Sequence, residues 1–392
     1  MRITLISPVN PAAVSDLLSV EDGQIAKDQP VGTGTAPGLL ARALVRRGHD
    51  VTLVTHRRGH ASLDLTGENF RLVQVESRTR QRHQLKDCWA KERALMAHAV
   101  IESRPDVVHA HWAYEWGLAA TKTGLPTVLT VRDAPLTVVR YTHDVYRMVR
   151  LLMPYRIRFG KQPDVVTAVS PYLASKWRRQ TLSGGYIHVI PNSAPSDITQ
   201  IGPKSDSPLV VEVSDAGRRK NIPLLLLAFA KVRENVPNAE LRIIGPGLDE
   251  GGFIARDARR HGLAAGVHFL GTRSRSEINH HLSEAWVHAH VSLEETFGNT
   301  IVEAMCCRAV VVGGDKSGAV PWILGNGEYG VVADMKSPDS VASAIMSVLQ
   351  DNDMREQLSV AAHNSLARFS EESVVTSYLE VYRKAVNLAR NR

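Results

Sequence analysis

The stretch Val291-Ser-Leu-Glu-Glu-Thr-Phe-Gly-Asn-Thr-Ile-Val-Glu-Ala-Met305 decides how this chain is read. An apolar run from Ala285 to Val291 predicts a strand leading in, and Phe297-Gly298 marks a turn into a helix. Strand, glycine turn and helix together offer backbone N–H groups to an anion. Two carboxylates flank that turn, Glu295 before it and Glu303 inside the helix. They are placed to hold hydroxyls on both sides of the anion, and a molecule with hydroxyls flanking phosphates is a nucleotide sugar.

Outward from this stretch, short apolar runs alternate with helix-length amphipathic segments. The first half predicts strands at 2–7, 50–55, 71–75, 107–110, 127–131, 165–169 and 187–190, with helices at 39–47 and 87–103. The second half predicts strands at 209–213, 240–244, 267–270, 287–291, 310–312 and 330–333, with helices such as 223–235 and 275–283. This rhythm implies a parallel sheet with helices on both faces, built twice. Residues 195–208, rich in Pro, Ser, Asp and Gly, predict a linker. The tail from Ser337 reads as successive helices, the last capped at Ser370.

At 392 residues the length suggests two domains, and 44% hydrophobic with 22% charged residues suits a globular protein. No run of about 18 uncharged apolar residues predicts a spanning helix. The start already reads as a strand, without a secretory pattern, and three cysteines make no disulfide framework. A cytoplasmic location is the expectation. Residues 1–200 hold 26 Lys and Arg against 17 Asp and Glu, while the remainder hold 21 against 23. The first half is therefore expected to meet something anionic, such as an acidic acceptor or the inner membrane face.

Glu295-x7-Glu303, with Phe-Gly between and Glu-Ala-Met after, resembles the signature of retaining GT-B glycosyltransferases of the GT4 family. The resemblance implies two Rossmann-like doubly wound domains facing across a cleft. Residues 1–195 would bind the acceptor, 196–368 the nucleotide sugar, and a C-terminal helix, 369–392, would return to the first domain. It also implies that Glu303 binds ribose hydroxyls and that Glu295 holds a hydroxyl of the transferred sugar. Read from the residues alone, Thr300-x-x-Glu303 is equally a capping box. Phe297, Gly298, Asn299 and Thr300 would border the phosphates at the helix N-terminus.

Arg218-Arg-Lys-Asn221 occupies the first strand-to-helix turn of the second half. The resemblance assigns Lys220 to the diphosphate. Where many members carry an arginine five residues earlier, this chain has Asp215, so Arg218 or Arg219 is a candidate for the missing charge. Gly245 and Gly247 form a second glycine turn, and residues 313–321 complete the pattern.

In the first half, Gly32 and Gly34 belong to a Gly-rich stretch that resembles the mobile loop of GT-B enzymes. It fits neither a dinucleotide fingerprint nor a P-loop. His109 and His111 share one face of a strand. They lack a third ligand at metal spacing, and the resemblance places His111 at the reacting sugar. Trp112, Tyr114 and Trp116 suit either packing or sugar stacking. Arg132 stands where the family often has histidine, with Asp133 beside it. Residues 140–161 mix basic and aromatic side chains, as a solvated face or an anionic membrane surface would require; residues 78–86 are a second basic run, read as a loop.

The expected activity is metal-independent, cofactor-free transfer from a nucleoside-diphosphate sugar, with retention, to a glycan, lipid-linked or small-molecule acceptor. No nucleic-acid partner is expected. The alternatives are another GT-B chemistry (epimerase or phosphorylase) or a non-catalytic binding protein.

Overall fold

The computed structural model describes residues 1–29, 34–141, 145–195, 198 and 202–391, without the side chains of residues 145–147. The chain forms two compact units, Met1–Ser193 with Glu371–Arg392, and Ala194–Ser370. Part of the predicted linker, and Gly32, lie outside the described residues.

The first unit holds strands β1 (Arg2–Ile6), β2 (Asp50–His56), β3 (Leu63–Thr66), β4 (Phe70–Val75), β5 (Val107–His111), β6 (Thr127–Val131), β7 (Val165–Ala168) and β8 (Ile187–Val189). They form one sheet in the order β3-β4-β2-β1-β5-β6-β7-β8. Every pairing is parallel except β3 with β4. The second unit holds β9 (Leu209–Val213), β10 (Glu240–Ile244), β11 (Val267–Gly271), β12 (Val287–His290), β13 (Val310–Gly314) and β14 (Val331–Ala333). Its sheet runs β11-β10-β9-β12-β13-β14 and is parallel throughout.

Helices cover both faces of such sheets, so central strands need no polar face. β5, β6, β9, β12 and β13 are accordingly buried along their whole length. Strand order reverses between β1 and β5 in one sheet and between β9 and β12 in the other. Ligands of doubly wound sheets bind beyond the carboxyl ends of the strands at such reversals.

The predicted strands appear within one or two residues. β3 was not predicted: it is a four-residue antiparallel edge strand with one buried side chain, too short to show a period. Pro154 interrupts no helix, although a proline inside a helix would break it. One helix ends at Arg150, the next spans Leu152–Phe159, and Pro154 sits in its first turn, where a missing N–H costs nothing. The basic run at 78–86 is not a loop throughout, because Gln81–Lys86 is helical.

The C-terminal helix, Glu371–Arg390, belongs to the first unit. It buries Val374, Val375, Tyr378, Leu379, Val381, Tyr382 and Ala385, the three- and four-residue spacing of one helix face. Arg46 pairs with Glu371 at 2.7 Å at its start.

Candidate active site

In the second unit, the loops after β9 and β12 meet at the strand-order reversal. Lys220 lies in the short 3-10 turn Arg218–Lys220, and Glu295 in the loop leading to the helix Asn299–Cys306. Lys220 Nζ donates to Glu295 Oε1 at 2.6 Å. Arg219 Nη1 lies 2.9 Å from the same oxygen and donates to the Glu294 carbonyl at 2.6 Å. Asn221 adopts a left-handed backbone, φ 60°, and its Nδ2 donates to the carbonyls of Val291 and Met335. The two loops are thus laced together, and the Ala319 N–H supports them by donating to the Glu295 carbonyl.

Glu295 is 8% exposed. Burial pushes its carboxyl up, but His290, Lys220 and Arg219 outweigh that and hold it well below the usual carboxylate range. The contact from His290 Nε2 spans 3.6 Å, which is electrostatic rather than a hydrogen bond. Asp215 takes no part in this charge cluster. Its Oδ1 accepts from Gly217 N–H and tightens the turn. Of the two arginine candidates, Arg219 is committed to Glu294 and Glu295, and Arg218 is exposed.

Gly298 takes φ 101° and opens the helix Asn299–Cys306 without a side-chain cap. The capping-box reading of Thr300 and Glu303 fails, because Thr300 is already inside the helix. Its hydroxyl lies 3.3 Å from His290 Nδ1 instead. Glu303 is half-buried, with Arg275 at 3.7 Å. Phe297 is a correction. Its ring is 3% exposed and packs edge-on against Phe369, beside Trp322, so it anchors the turn instead of facing a ligand. At Gly245 (φ 143°) a Cβ would fall 1.6 Å from the Ser214 carbonyl oxygen, so the end of β10 passes the end of β9 only without a side chain. Gly247 also needs positive φ, 77°.

In the first unit, His111 ends β5 and is fully buried. Arg132 donates to its Nδ1 from Nε at 3.1 Å and from Nη2 at 2.8 Å. Arginine only donates, so Nδ1 carries the lone pair and Nε2 the hydrogen. That Nε2 is buried with no protein partner. Burial, reinforced by His109 and Arg132, keeps the ring neutral, well below ordinary histidine. His111 is therefore a fixed N–H donor. Arg132 also donates to Asn192 Oδ1 at 2.7 Å and lies over the Trp112 ring.

His109 is a second correction. Its Nδ1 meets Tyr382 Oη and its Nε2 meets Thr130 Oγ1, each at 2.7 Å. Both nitrogens are spent, one tying β5 to the C-terminal helix and the other tying it to β6, which leaves nothing for an acceptor.

A cavity of about 390 Å³ opens in the first unit, lined by Pro8, Gly34, Trp112, Tyr114, Trp116, Asp133, Val138 and Arg150. Gly34 (φ 104°) starts the helix Thr35–Arg46 where a Cβ would meet the Pro8 carbonyl at 2.1 Å. Asp133 Oδ2 accepts from Tyr114 Oη at 2.8 Å. Arg150 is not a free cation. It forms a two-pronged pair with buried Glu115 at 2.7 and 2.8 Å and lies over the rings of Trp89, Tyr114 and Trp116. Burial raises the Glu115 carboxyl, but Arg150 and His56 win and lower it to about 2. The basic run at 78–86 is likewise partly neutralised, since Arg78 pairs with Asp87 and with buried Glu92.

Sequence reasoning placed Arg150 only in a basic run and missed its partner Glu115 and His56, whose contacts span distant segments. It also missed Glu212, His288 and His290, which cluster in the second unit. The His-x-His pattern of β12 was the available signal.

Comparison with known proteins bears on the family and the fold. Residues 32–197 match the family model "Glycosyltransferase Family 4", and residues 194–365 match "Glycosyl transferases group 1". The chain is similar to N-acetyl-alpha-D-glucosaminyl L-malate synthase of Bacillus anthracis, 23% identical over 378 residues, covering 90% of this chain and 93% of the relative. Its fold is that of sucrose-phosphate synthase from Thermosynechococcus elongatus (TM-score 0.75, 18% identity, 98% of both chains). The Anabaena protein HepE, solved with UDP and glucose, shares it too (TM-score 0.68, 18% identity, 97% of this chain and 99% of that one).

These matches and the paired doubly wound sheets define a GT-B glycosyltransferase. The chain belongs to the GT4 family, and its activity is glycosyl transfer.

Proposed function

We propose that the chain transfers a sugar from a nucleoside diphosphate to an acceptor hydroxyl with retention of anomeric configuration and without a metal at the reacting atoms. The observation that carries this is the Lys220–Glu295 contact of 2.6 Å at the carboxyl ends of β9 and β12, beside the N-terminus of Asn299–Cys306. Lys220 and the helix amides suit the diphosphate, and the half-buried Glu303 carboxylate suits the ribose.

Retention follows from what Glu295 lacks. A carboxylate gripped by a lysine and an arginine, and held well below its ordinary range, is a poor nucleophile and a poor base. It accepts a hydrogen bond from a sugar hydroxyl instead. The acceptor hydroxyl then attacks on the face from which the diphosphate leaves. The bond from the anomeric carbon to the phosphate oxygen breaks, the bond to the acceptor oxygen forms, and the acceptor proton passes to the departing phosphate. Stabilising that leaving group is the main work of the site. The neutral Nε2–H of His111 suits an oxygen of the transferred sugar.

The aromatic cavity with Asp133 suits a hydroxyl-rich acceptor, whether a glycan, a lipid-linked glycan or a small polyol. Exposed Met148, Leu152 and Phe159 occur on short helices with the basic Arg156 and Arg158. This supports contact with an anionic membrane surface, which flotation with anionic against zwitterionic vesicles tests. The reaction itself is tested by incubating the protein with a panel of nucleotide sugars and candidate acceptors and reading the product anomer by NMR. Retention with release of nucleoside diphosphate is expected; an inverted product overturns the mechanism.

A further inference from the structure

Glu212 at β9 and His288 and His290 on β12 are each 0% exposed. One ligand atom from each lies within 4.8 Å of the other two. Both Glu212 oxygens and both histidine Nε2 atoms are buried without a hydrogen-bond partner, and Glu295 Oε1 lies 3.6 Å from His290 Nε2. Polar groups in that position are costly unless something satisfies them.

The tautomers narrow what that something is. His288 Nδ1 lies 2.9 Å from the Val211 carbonyl oxygen, which only accepts, so Nδ1 bears the hydrogen and Nε2 the lone pair. His290 Nδ1 lies 3.3 Å from the Thr300 hydroxyl, which accepts when Nδ1 bears the hydrogen, the tautomer that frees Nε2 for a ligand. In that tautomer two imidazole lone pairs and a carboxylate converge. Ligand histidines show this arrangement, the far nitrogen donating to an oxygen that fixes the ring and raises its basicity. Two imidazoles and one carboxylate are a zinc-type donor set.

We propose that Glu212, His288 and His290 bind a divalent transition-metal ion of the zinc class, in a structural role. Metal bonds of about 2.0–2.2 Å place ligand atoms no more than about 4.4 Å apart. Ligation thus draws the cluster in by less than about an ångström, within the reach of side-chain rotation. The ion would clamp β9 to β12, whose pairing ends at His288 opposite Val211. Those two strands carry the loops of Lys220 and Glu295, and His290 Nε2 lies 3.6 Å from Glu295 Oε1, so the clamp would set the spacing of those loops from beside Glu295. Burial on all three ligands argues against a catalytic metal with an open face.

The test uses tag-free full-length protein, loaded with zinc, desalted and assayed for metal by mass spectrometry, beside Glu212→Gln and His288→Asn. Equimolar zinc in the wild type, a loss of at least tenfold in affinity in each variant, and a chelator-induced fall in Tm confined to the wild type are expected. Zinc equal in wild type and Glu212→Gln marks adventitious surface binding and overturns the proposal. So does a wild type that holds none, where an unchanged or raised Tm for Glu212→Gln would identify a neutral buried acid instead. Nucleotide-sugar binding, read by thermal shift on the same samples, reports on the transferase reading independently.

Discussion

Lys220→Ala separates catalysis from architecture. Lys220 is 13% exposed on its side chain, so water screens its charge little. A unit charge about 4 Å from a phosphate oxygen, at an effective dielectric near 20, contributes about 4 kcal/mol. Its loss lowers kcat/KM by about 10³-fold. Part of this appears in KM, because the diphosphate is charged before it leaves, and the rest in kcat as negative charge builds on it. The variant also strips Glu295 of its nearest cation. Arg219 at 2.9 Å remains, which limits the stability cost to about 1–2 kcal/mol. Adding Glu295→Gln removes the orphaned charge, so the double variant regains stability without regaining turnover. Steady-state kinetics and urea unfolding on the wild type, both single variants and the double variant measure the two effects. Near-normal turnover in Lys220→Ala, or activity that recovers together with stability in the double variant, refutes the leaving-group role.

Glu115 makes stability pH-dependent. Its folded carboxyl, lowered to about 2, stabilises the protein above the ordinary glutamate range, and that contribution is lost as pH falls from about 4.5 through about 2. Denaturant midpoints between about pH 6 and 3 should fall more steeply in the wild type than in Glu115→Gln; parallel curves would contradict the ion pair. Because His111 is held neutral well below the ordinary histidine range, its ring should show a neutral Nε2–H tautomer by nitrogen NMR across about pH 5.5–8. An imidazolium signal there would count against a fixed donor. Gly245→Ala drives a methyl group into the Ser214 carbonyl and should cost about 3 kcal/mol or more, read from chemical unfolding.

The residues differ in how much of their placement was legible. Glu295 and Glu303 were visible because a strand, a Phe-Gly turn and a helix are local events with local signals. Lys220 was visible for the same reason, in a turn next to β9. Thr300 shows the limit of such reasoning. Its spacing to Glu303 fits a capping box, yet the left-handed Gly298 starts the helix before it. His109 and His111 look equivalent in a strand pattern, and only the partners differ. Tyr382, distant in sequence, takes up one nitrogen of His109, while Arg132 leaves His111 with a free N–H. Phe297 stands beside the glycine turn, and its ring is claimed by Phe369.

By itself, the order of apolar runs and helical segments determined two doubly wound sheets, because periods of two and 3.6 residues are imposed by backbone geometry within each element. It also determined which turns carry charge. Tertiary structure alone decided which charges remain available: Arg150 is quenched by Glu115, Arg78 by Glu92, and Lys220 is set on Glu295. It decided, too, that Glu212 meets His288 and His290. Charge and hydrogen-bond pairing depend on distances of a few ångströms between elements far apart in the chain, and strand order and register set those distances.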